Sequence, residues 1–508
     1  METKLLLEKV NEVYLKVHSE KNVARELSDF FTFYIPGFQF TPAFRKKIWD
    51  GKIRLFDSRN NQIYYGLLKH IKVFCEERNY ELEYLNFSEK EKERYSIDIV
   101  NQFVEKLKIS SRGKQIEVRD YQVNAFHSAI NNHRGLFISP TASGKSLIIY
   151  LLIRFFLSVE KCKKGLIIVP TTSLVEQLTS DFADYSTANG FDVSENIHKI
   201  YQGKDKVSET SKLYVSTWQS IYQMPKEYFE SFDFVIGDEA HLFKAQSLTK
   251  ILTQCTNTKY RIGLTGTLDG SKTHKLVLEG LFGKVEKVIT TKELMDRKQV
   301  ADFRIKCLIL KYEEEICKYI KDRTYQEEIE YLVLNSHRNK FIKNLSVSLK
   351  GNSLILFQFV EKHGKILFEM ISKDLNERKC FFVYGKTETE TREDIRSIAE
   401  KENDAIIIAS YGTFSTGINI RNLHNIIFAS PSKSRVRNLQ SIGRSLRIGD
   451  NKTEAVLYDI ADDMRYKNHI NYTLKHFIER TKIYDEEKFT YKLYKIGVKN
   501  GNNQSTKT

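Results

Sequence analysis

Two short segments hold residues whose types and spacing suit chemistry on a phosphate chain. The apolar run Leu136-Phe137-Ile138 leads into Ser139-Pro140-Thr141-Ala142-Ser143-Gly144-Lys145-Ser146, and the apolar stretch 147–157 follows. A strand, loop and helix in this order turn backbone N–H groups and a helix N-terminus toward an anion. Lys145 is then placed to reach terminal phosphates, and the Ser146 hydroxyl to reach magnesium. Ser139 stands where the strict GxxxxGK[ST] pattern has glycine, and an isolated Ser-Gly-Lys-Ser can also be a serine-capped turn. Further along, the run 232–237 ends in Asp238-Glu239-Ala240-His241. An acidic pair at the carboxyl end of a buried strand suits in-line attack on a γ-phosphate, with Asp238 on the metal and Glu239 on the water. On an ordinary helix the same tetrapeptide would be unremarkable, because acidic residues favour first turns. The preceding apolar strand favours the chemical reading, and each segment supports the other.

Short apolar runs separated by helical stretches must position these residues. Runs 135–139, 166–169, 213–216, 232–237 and 260–264 read as strands of a parallel sheet buried on both faces. A second set, 353–357, 380–383, 405–409, 425–429 and 454–458, repeats the pattern, and the break falls near 297–301, where the helix-like stretch 290–300 ends. A chain of 508 residues exceeds what one core supports. The fold class expected is α/β: two tandem parallel-sheet domains behind a small α+β N-terminal domain. The expected divisions are 1–90, a basic nucleic-acid-binding domain, then 91–298 and 299–497, the latter with C-terminal helices. The polar tail 498–508 has too little apolar surface to pack. The charge run 88–94 reads as a linker, with a solvated helix as the alternative.

Lysine and arginine exceed aspartate and glutamate by 80 to 65, a net charge of +15. Such an excess suits a polyanionic partner, although it also serves solubility. No stretch approaches the roughly 20 apolar residues of a membrane span, and the first residues mix charges into apolar positions, so a cytoplasmic protein without a membrane partner is expected. Six scattered cysteines show neither zinc spacing nor a disulfide framework and read as core thiols.

With Asp120-Tyr121-Gln122 ahead of the phosphate loop, the chain resembles the superfamily 2 helicases of the DEAH-containing kind. Further blocks match in order: Val169-Pro170-Thr171-Thr172-Ser173-Leu174 with Gln177, Ser216-Thr217-Trp218-Gln219, Gly263-Leu264-Thr265-Gly266-Thr267, residues 410–419, and Gln440 to Arg447. The resemblance implies two RecA-like motor domains that use ATP and Mg2+. It implies that Gln122 reads the adenine edge and that residues 139–146 with Gly417 bind the nucleotide. Ser146 and Asp238 would hold the metal, and Lys145, Asp238, Glu239, Arg444 and Arg447 would form the chemical core, the two arginines as fingers from the second motor domain. Pro170, Thr171, Thr217, Trp218, Ser410 and Thr416 would contact nucleic acid, while His241, Thr265, Thr267 and Gln440 couple hydrolysis to it. Asn419 stands where the family often has aspartate, which puts a charged ribose contact in doubt. Helicase membership leaves RNA open as the strand, and an ATP-switched binding or annealing protein remains the rival class.

The whole chain, including residues 38–57, is similar to the recombination and fork-remodelling helicases of T-even phages. That similarity implies a monomer acting on branched or forked duplex DNA, with single strands as a further partner, in the host cytoplasm. In the N-terminal part, Asp50-Gly51 between a basic aromatic run and Lys52-Ile53-Arg54-Leu55-Phe56 reads as a hairpin turn. Lys46, Lys47 and Lys52 are its expected phosphate contacts, and Trp49 is either a stacking platform or core. Late in the chain, Ile470, Leu474, Phe477 and Ile478 have helical spacing, which predicts packing on the second motor, with Lys475, Arg480 and Lys482 elsewhere on the helix, where DNA contact is the alternative use.

Overall fold

The computed structural model describes residues 3–87, 94–375, 377–413, 420, 422–430, 432–446 and 452–497. Thr416, Gly417, Asn419 and Arg447 lie outside the described residues, as do the tail 498–508 and residues 88–93 of the charged run. The chain divides into two compact units. One is Met1–Ser139 with Gly144–Ile289, and the other is Pro140–Ser143 with Thr290–Thr508.

The first unit begins with strands β1 (Lys4–Lys9), β2 (Tyr14–His18), β3 (Thr32–Tyr34), β4 (Lys52–Arg54), β5 (Phe56–Asp57), β6 (Gln62–Tyr64) and β7 (Glu81–Leu85). Five of them form a sheet in the order β5-β6-β2-β1-β7. Alternation puts Leu5, Leu7, Leu15 and Val17 on one buried face, against Val23 and Leu27 of helix Lys21–Phe30 and Ile71 and Phe74 of helix Leu68–Arg78. This apolar layer does not end there. It runs on into Leu276, Val277, Leu281 and Phe282 of helix Lys272–Phe282, part of the first parallel-sheet domain. Two glycines permit the close approach: a Cβ at Gly66 would sit 2.0 Å from the Glu279 carbonyl oxygen, and one at Gly280 would sit 2.8 Å from the Tyr64 ring. Around this seam, His70 Nε2 lies 2.9 Å from Glu279, and Arg134 both pairs with Glu12 at 3.0 Å and lies 4.0 Å over the Tyr65 ring.

The Asp50-Gly51 turn differs from expectation. Strand β4 pairs antiparallel with β3, not with the preceding run, so residues 35–51 form an excursion between two paired strands. The run itself holds a short helix, Pro42–Arg45, whose N-cap Thr41 accepts from Phe44 N–H. Proline at the first helical position and the threonine cap favour this turn locally. Trp49 is half-buried and donates from Nε1 to the Lys52 carbonyl at 2.9 Å.

A short ladder, β8 (Ser110–Ser111) with β9 (Lys114–Gln115), precedes a seven-stranded sheet. Its strands are β10 (Arg134–Ile138), β11 (Gly165–Val169), β12 (Ile197–Ile200), β13 (Leu213–Thr217), β14 (Phe234–Gly237), β15 (Tyr260–Thr265) and β16 (Val285–Lys287). All pair in parallel, in the order β12-β13-β11-β14-β15-β10-β16. Continuous burial along β11, β13, β14 and β15 is what covering both faces demands.

The second unit repeats the design. Strands β17 (Asp302–Lys311), β18 (Ser353–Phe357), β19 (Cys380–Val383), β20 (Ile406–Ser410), β21 (Asn425–Phe428), β22 (Glu454–Asp463) and β23 (Tyr491–Gly497) form a parallel sheet in the order β19-β20-β18-β21-β22-β17-β23. Both motor sheets therefore have the α/β architecture anticipated, behind the smaller N-terminal sheet. Four of their strands, β12, β16, β17 and β23, were not legible as strands: their lysines and other polar residues interrupt the apolar runs. The late helix spans Tyr472–Glu486 and buries Leu474 and Phe477, but Ile478 is exposed and Arg480 is buried. Arg480 is thus a core residue, held by Asp459 of β22 through contacts of 2.7 to 3.1 Å.

Candidate nucleotide site and strand-facing edge

Parallel pairing brings the chemical residues to the carboxyl ends of neighbouring strands. In register, Val169 lies beside Thr217, Ile168 beside Gly237, and Ile138 beside Thr265. The blocks containing Pro170, Thr171, Thr217, Trp218, Asp238, Glu239, Thr265 and Ser139 therefore occupy one edge of one sheet, where ligands of open α/β sheets bind.

The phosphate loop follows β10 directly. Ser139 is fully buried; its N–H donates to the Thr265 carbonyl at 2.8 Å, and its own carbonyl accepts from Lys145 Nζ at 3.2 Å. Left-handed backbone occurs at Ala142 (φ 69°) and Gly144 (φ 83°), not at Ser139. Glycine is favoured where φ is positive, and Ser139 is not such a position, so serine is compatible with the first position of this loop. A Cβ at Gly144 would meet Gln122 Nε2 at 2.3 Å, which places the Gln122 amide directly against the loop. Gln122 Oε1 accepts from Arg119 N–H at 3.0 Å, which orients that amide. Helix Lys145–Ser158 starts immediately after Gly144, so its free N–H groups and positive dipole end face the loop. Ser146 Oγ is 3.2 Å from the Tyr185 hydroxyl, a partner that no motif spacing announces.

Glu239 adopts left-handed backbone (φ 49°) and its N–H donates to Asp238 Oδ1 at 2.9 Å. A non-glycine residue there costs roughly 1–3 kcal/mol and persists where the surroundings impose it, commonly at functional sites. Burial, then the neighbouring Glu239 charge, hold the Asp238 carboxyl above its ordinary value, with Lys145 opposing. Such a carboxylate gains from a cation. A serine hydroxyl and a carboxylate are hard oxygen donors of the kind magnesium takes, and Ser146 and Asp238 fit that set. His241 Nδ1 lies 3.0 Å from Thr265 Oγ1 and 3.3 Å from Glu239 Oε2, and Thr265 Oγ1 donates to the Thr267 carbonyl at 3.1 Å. The acidic pair is thereby wired to the following block. Sequence reasoning missed a second connection beside it: Lys244 Nζ is 2.5 Å from Asp269, which also bonds His274. Lysine and aspartate each flanking a motif were the available signal.

At the strand-facing end, Thr171 caps helix Thr172–Ser186, its hydroxyl accepting from Leu174 N–H at 3.4 Å. Thr217 is buried, with Oγ1 2.9 Å from Ser220 Oγ, and Trp218 is half-buried beside Tyr222. In the second unit, Ser410 ends β20 with Oγ 2.8 Å from Thr413 Oγ1. Gln440 and the half-buried Arg444 lie on helix Arg435–Ser445. The buried Lys452 ammonium donates to the Ser445 carbonyl at the end of that helix, and burial lowers its pKa to about 7. Lys46, Lys47 and Lys52 belong to the N-terminal excursion, Lys46 and Lys47 exposed and Lys52 half-buried.

A phosphate loop, an acidic pair one strand removed in the same sheet and two tandem parallel sheets define a superfamily 2 motor enzyme. Comparison with known proteins agrees. Residues 5–84 match the family model "DNA helicase UvsW, N-terminal", 115–270 match "Type III restriction enzyme, res subunit", and 336–449 match "Helicase conserved C-terminal domain". The "ATP-dependent DNA helicase uvsW" of Enterobacteria phage T4 is 37% identical over 494 residues, covering 94% of this chain and 96% of its own length. The crystal structure of T4 UvsW aligns with 98% of this chain and 100% of its own, at 34% identity and a TM-score of 0.52. A "DNA 3'-5' translocase XPB2" of Sulfurisphaera tokodaii is 24% identical across 72% of this chain and 86% of its own length. The chain belongs to the UvsW family of superfamily 2 helicases.

Proposed function

We propose that this protein is an ATP- and Mg2+-dependent DNA helicase that remodels branched DNA, such as forks, D-loops and four-way junctions, as a phage-encoded monomer in the host cytoplasm. Lys145 neutralises the terminal phosphates, Ser146 and Asp238 hold the metal, Glu239 orients the attacking water, and Arg444 and Arg447 stabilise the charge that develops on the γ-phosphate. Gln122 reads adenine, and residues 139–144 with Gly417 complete the nucleotide contacts. His241, Thr265, Thr267 and Gln440 carry the signal to the strand-gripping residues Pro170, Thr171, Thr217, Trp218, Ser410 and Thr416. The observation that supports this most directly is the fused layout. A basic excursion with Lys46, Lys47 and Lys52 sits on a domain whose core continues into the first motor, in a chain similar end to end to a DNA helicase. No described helix is long and apolar enough to cross a membrane.

The test is ATPase stimulation by a four-way junction, linear duplex, single-stranded DNA and RNA at one salt concentration. The junction should stimulate most. Equal or greater stimulation by RNA would replace DNA as the substrate, and strand annealing without turnover would replace the helicase reading with a switched binding protein.

A further inference from the structure

The serine assigned to the metal has a partner of its own. A hydroxyl has one proton and two lone pairs, so an oxygen that gives a lone pair to a cation must send its proton to an acceptor on another side. Groups that take such protons orient the ligand, and removing them weakens metal binding by about 10–100-fold. Ser146 Oγ lies 3.2 Å from the hydroxyl of Tyr185, thirty-nine residues away in the chain. Either oxygen can donate in the bond as it stands. With a cation on Ser146 one direction is left: the serine donates and Tyr185 accepts.

Tyr185 is held in place from several sides. It sits in the last turn of helix Thr172–Ser186, half-buried, and its ring meets Tyr150 edge-on at 5.5 Å between centroids. Tyr150 is four residues after Ser146 on helix Lys145–Ser158, so the two share the helix face along which the Tyr185 ring lies. The Tyr150 hydroxyl is 2.8 Å from Ser186 Oγ, and Asn189 Nδ2 donates to the Tyr185 carbonyl at 3.0 Å. One residue earlier, Asp184 accepts from Ser111 Oγ at 2.9 Å and from Arg112 N–H at 2.8 Å, which ties the helix end to the turn between β8 and β9. Fixing a ring in this way needs no hydroxyl, since phenylalanine has the same packing surface. The oxygen is the atom that distinguishes tyrosine here, and it is placed against the metal ligand.

Resting on the helicase reading above, we propose that Tyr185 is a positioning residue for the magnesium site: its hydroxyl takes the Ser146 proton and so turns a serine lone pair toward the cation. The interaction acts through Ser146 alone. It sets the orientation of a ligand before the metal arrives, so its loss appears as weaker metal binding. The attack on the γ-phosphate, carried by Lys145, Glu239 and the arginines, is left intact once metal is supplied in excess. Asp238 remains the second ligand, and its Oδ1 already accepts from Glu239 N–H at 2.9 Å.

The test uses the full chain with Tyr185→Phe, which keeps the ring and removes one oxygen. Mn2+ bound beside a non-hydrolysable ATP analogue, read by electron paramagnetic resonance, should bind about 10–100-fold more weakly than in wild type. The Mg2+ concentration that half-saturates ATP hydrolysis should rise by the same factor, while turnover at saturating Mg2+ and nucleotide affinity in EDTA stay within about twofold. In a Ser146→Ala background, Tyr185→Phe should weaken metal binding no further, because the group it orients is gone. Unchanged Mn2+ binding in Tyr185→Phe overturns the proposal. So does a lower turnover at saturating Mg2+ with metal affinity unchanged, which would make Tyr185 a packing residue, and so does an equal further loss in the Ser146→Ala background. Wild-type chain that binds Mn2+ with the nucleotide but never hydrolyses ATP would instead sink the helicase reading, and the Mn2+ comparison would still decide the role of Tyr185.

Discussion

Removing Arg480 should destabilise the second motor domain far more than an ordinary helix substitution. The guanidinium is 1% exposed and its partner Asp459 is fully buried. Nε donates to the two carboxylate oxygens at 3.1 and 2.9 Å, Nη2 donates at 2.7 Å, and Nη1 donates to the Ser432 carbonyl at 3.0 Å. In Arg480→Ala, Asp459 keeps the Tyr484 hydroxyl at 2.7 Å but loses its counter-charge, and the Ser432 carbonyl loses this donor. Breaking a buried pair in this way costs about 3–5 kcal/mol, a large part of a total stability of roughly 5–15 kcal/mol. Asp459→Leu with Arg480→Met should be less damaging than the two single losses summed, because no unpaired charge is left behind. Both tryptophans, Trp49 and Trp218, lie in the other unit, so fluorescence would not report on this domain. Hydrogen exchange of β22 and helix Tyr472–Glu486 does. Losses below about 1 kcal/mol in the single variants, or a double variant equal to their sum, would refute the reasoning.

Lys145→Ala should abolish hydrolysis, and Glu239→Gln should bind ATP without turning it over while retaining DNA binding; filter binding beside phosphate release distinguishes them. Arg444→Ala should lower turnover by about 10³-fold with nucleotide affinity nearly unchanged, and normal turnover with weak DNA binding would make it a strand-gripping residue instead. Combined Lys46→Ala, Lys47→Ala and Lys52→Ala should weaken binding to forked DNA more than to linear duplex. The log–log salt slope should become shallower by about 0.9 for each duplex phosphate that is no longer neutralised, and an unchanged slope would mean solvated lysines. His363 is buried, with Nδ1 3.1 Å from Ser430 Oγ and, among the described residues, no partner on Nε2; burial, then Arg338, lower its pKa to about 3. The folded chain then leaves it neutral while the unfolded chain protonates it. Its stability contribution is complete above about pH 6.5 and falls by about 1.4 kcal/mol per unit toward pH 3. His363→Gln should flatten that slope in acid denaturation.

The sequence by itself determined where the phosphate-loop segment and the acidic tetrapeptide fall, and the strands that carry them. Those features are local: a strand buried on both faces must be continuously apolar, as β11 and β14 are, and an anion-binding turn needs its residues at consecutive positions. Even the departure at Ser139 was visible, although only the backbone angles explain it: the left-handed turns fall at Ala142 and Gly144. Tertiary structure decided what local pattern leaves open. Asp50-Gly51 has the composition of a tight hairpin, yet β4 pairs with β3 because strand partners are chosen by burial and register across long separations. Arg480 reads as one more basic residue on an amphipathic helix, and only Asp459, twenty-one residues away on β22, makes it core. The seam at Gly66 and Gly280 was equally silent, since a glycine shows that backbones can approach closely but not which backbone arrives. Apolar periodicity gives a residue its face, whereas the meaning of a charge or a glycine depends on the partner that folding brings to it.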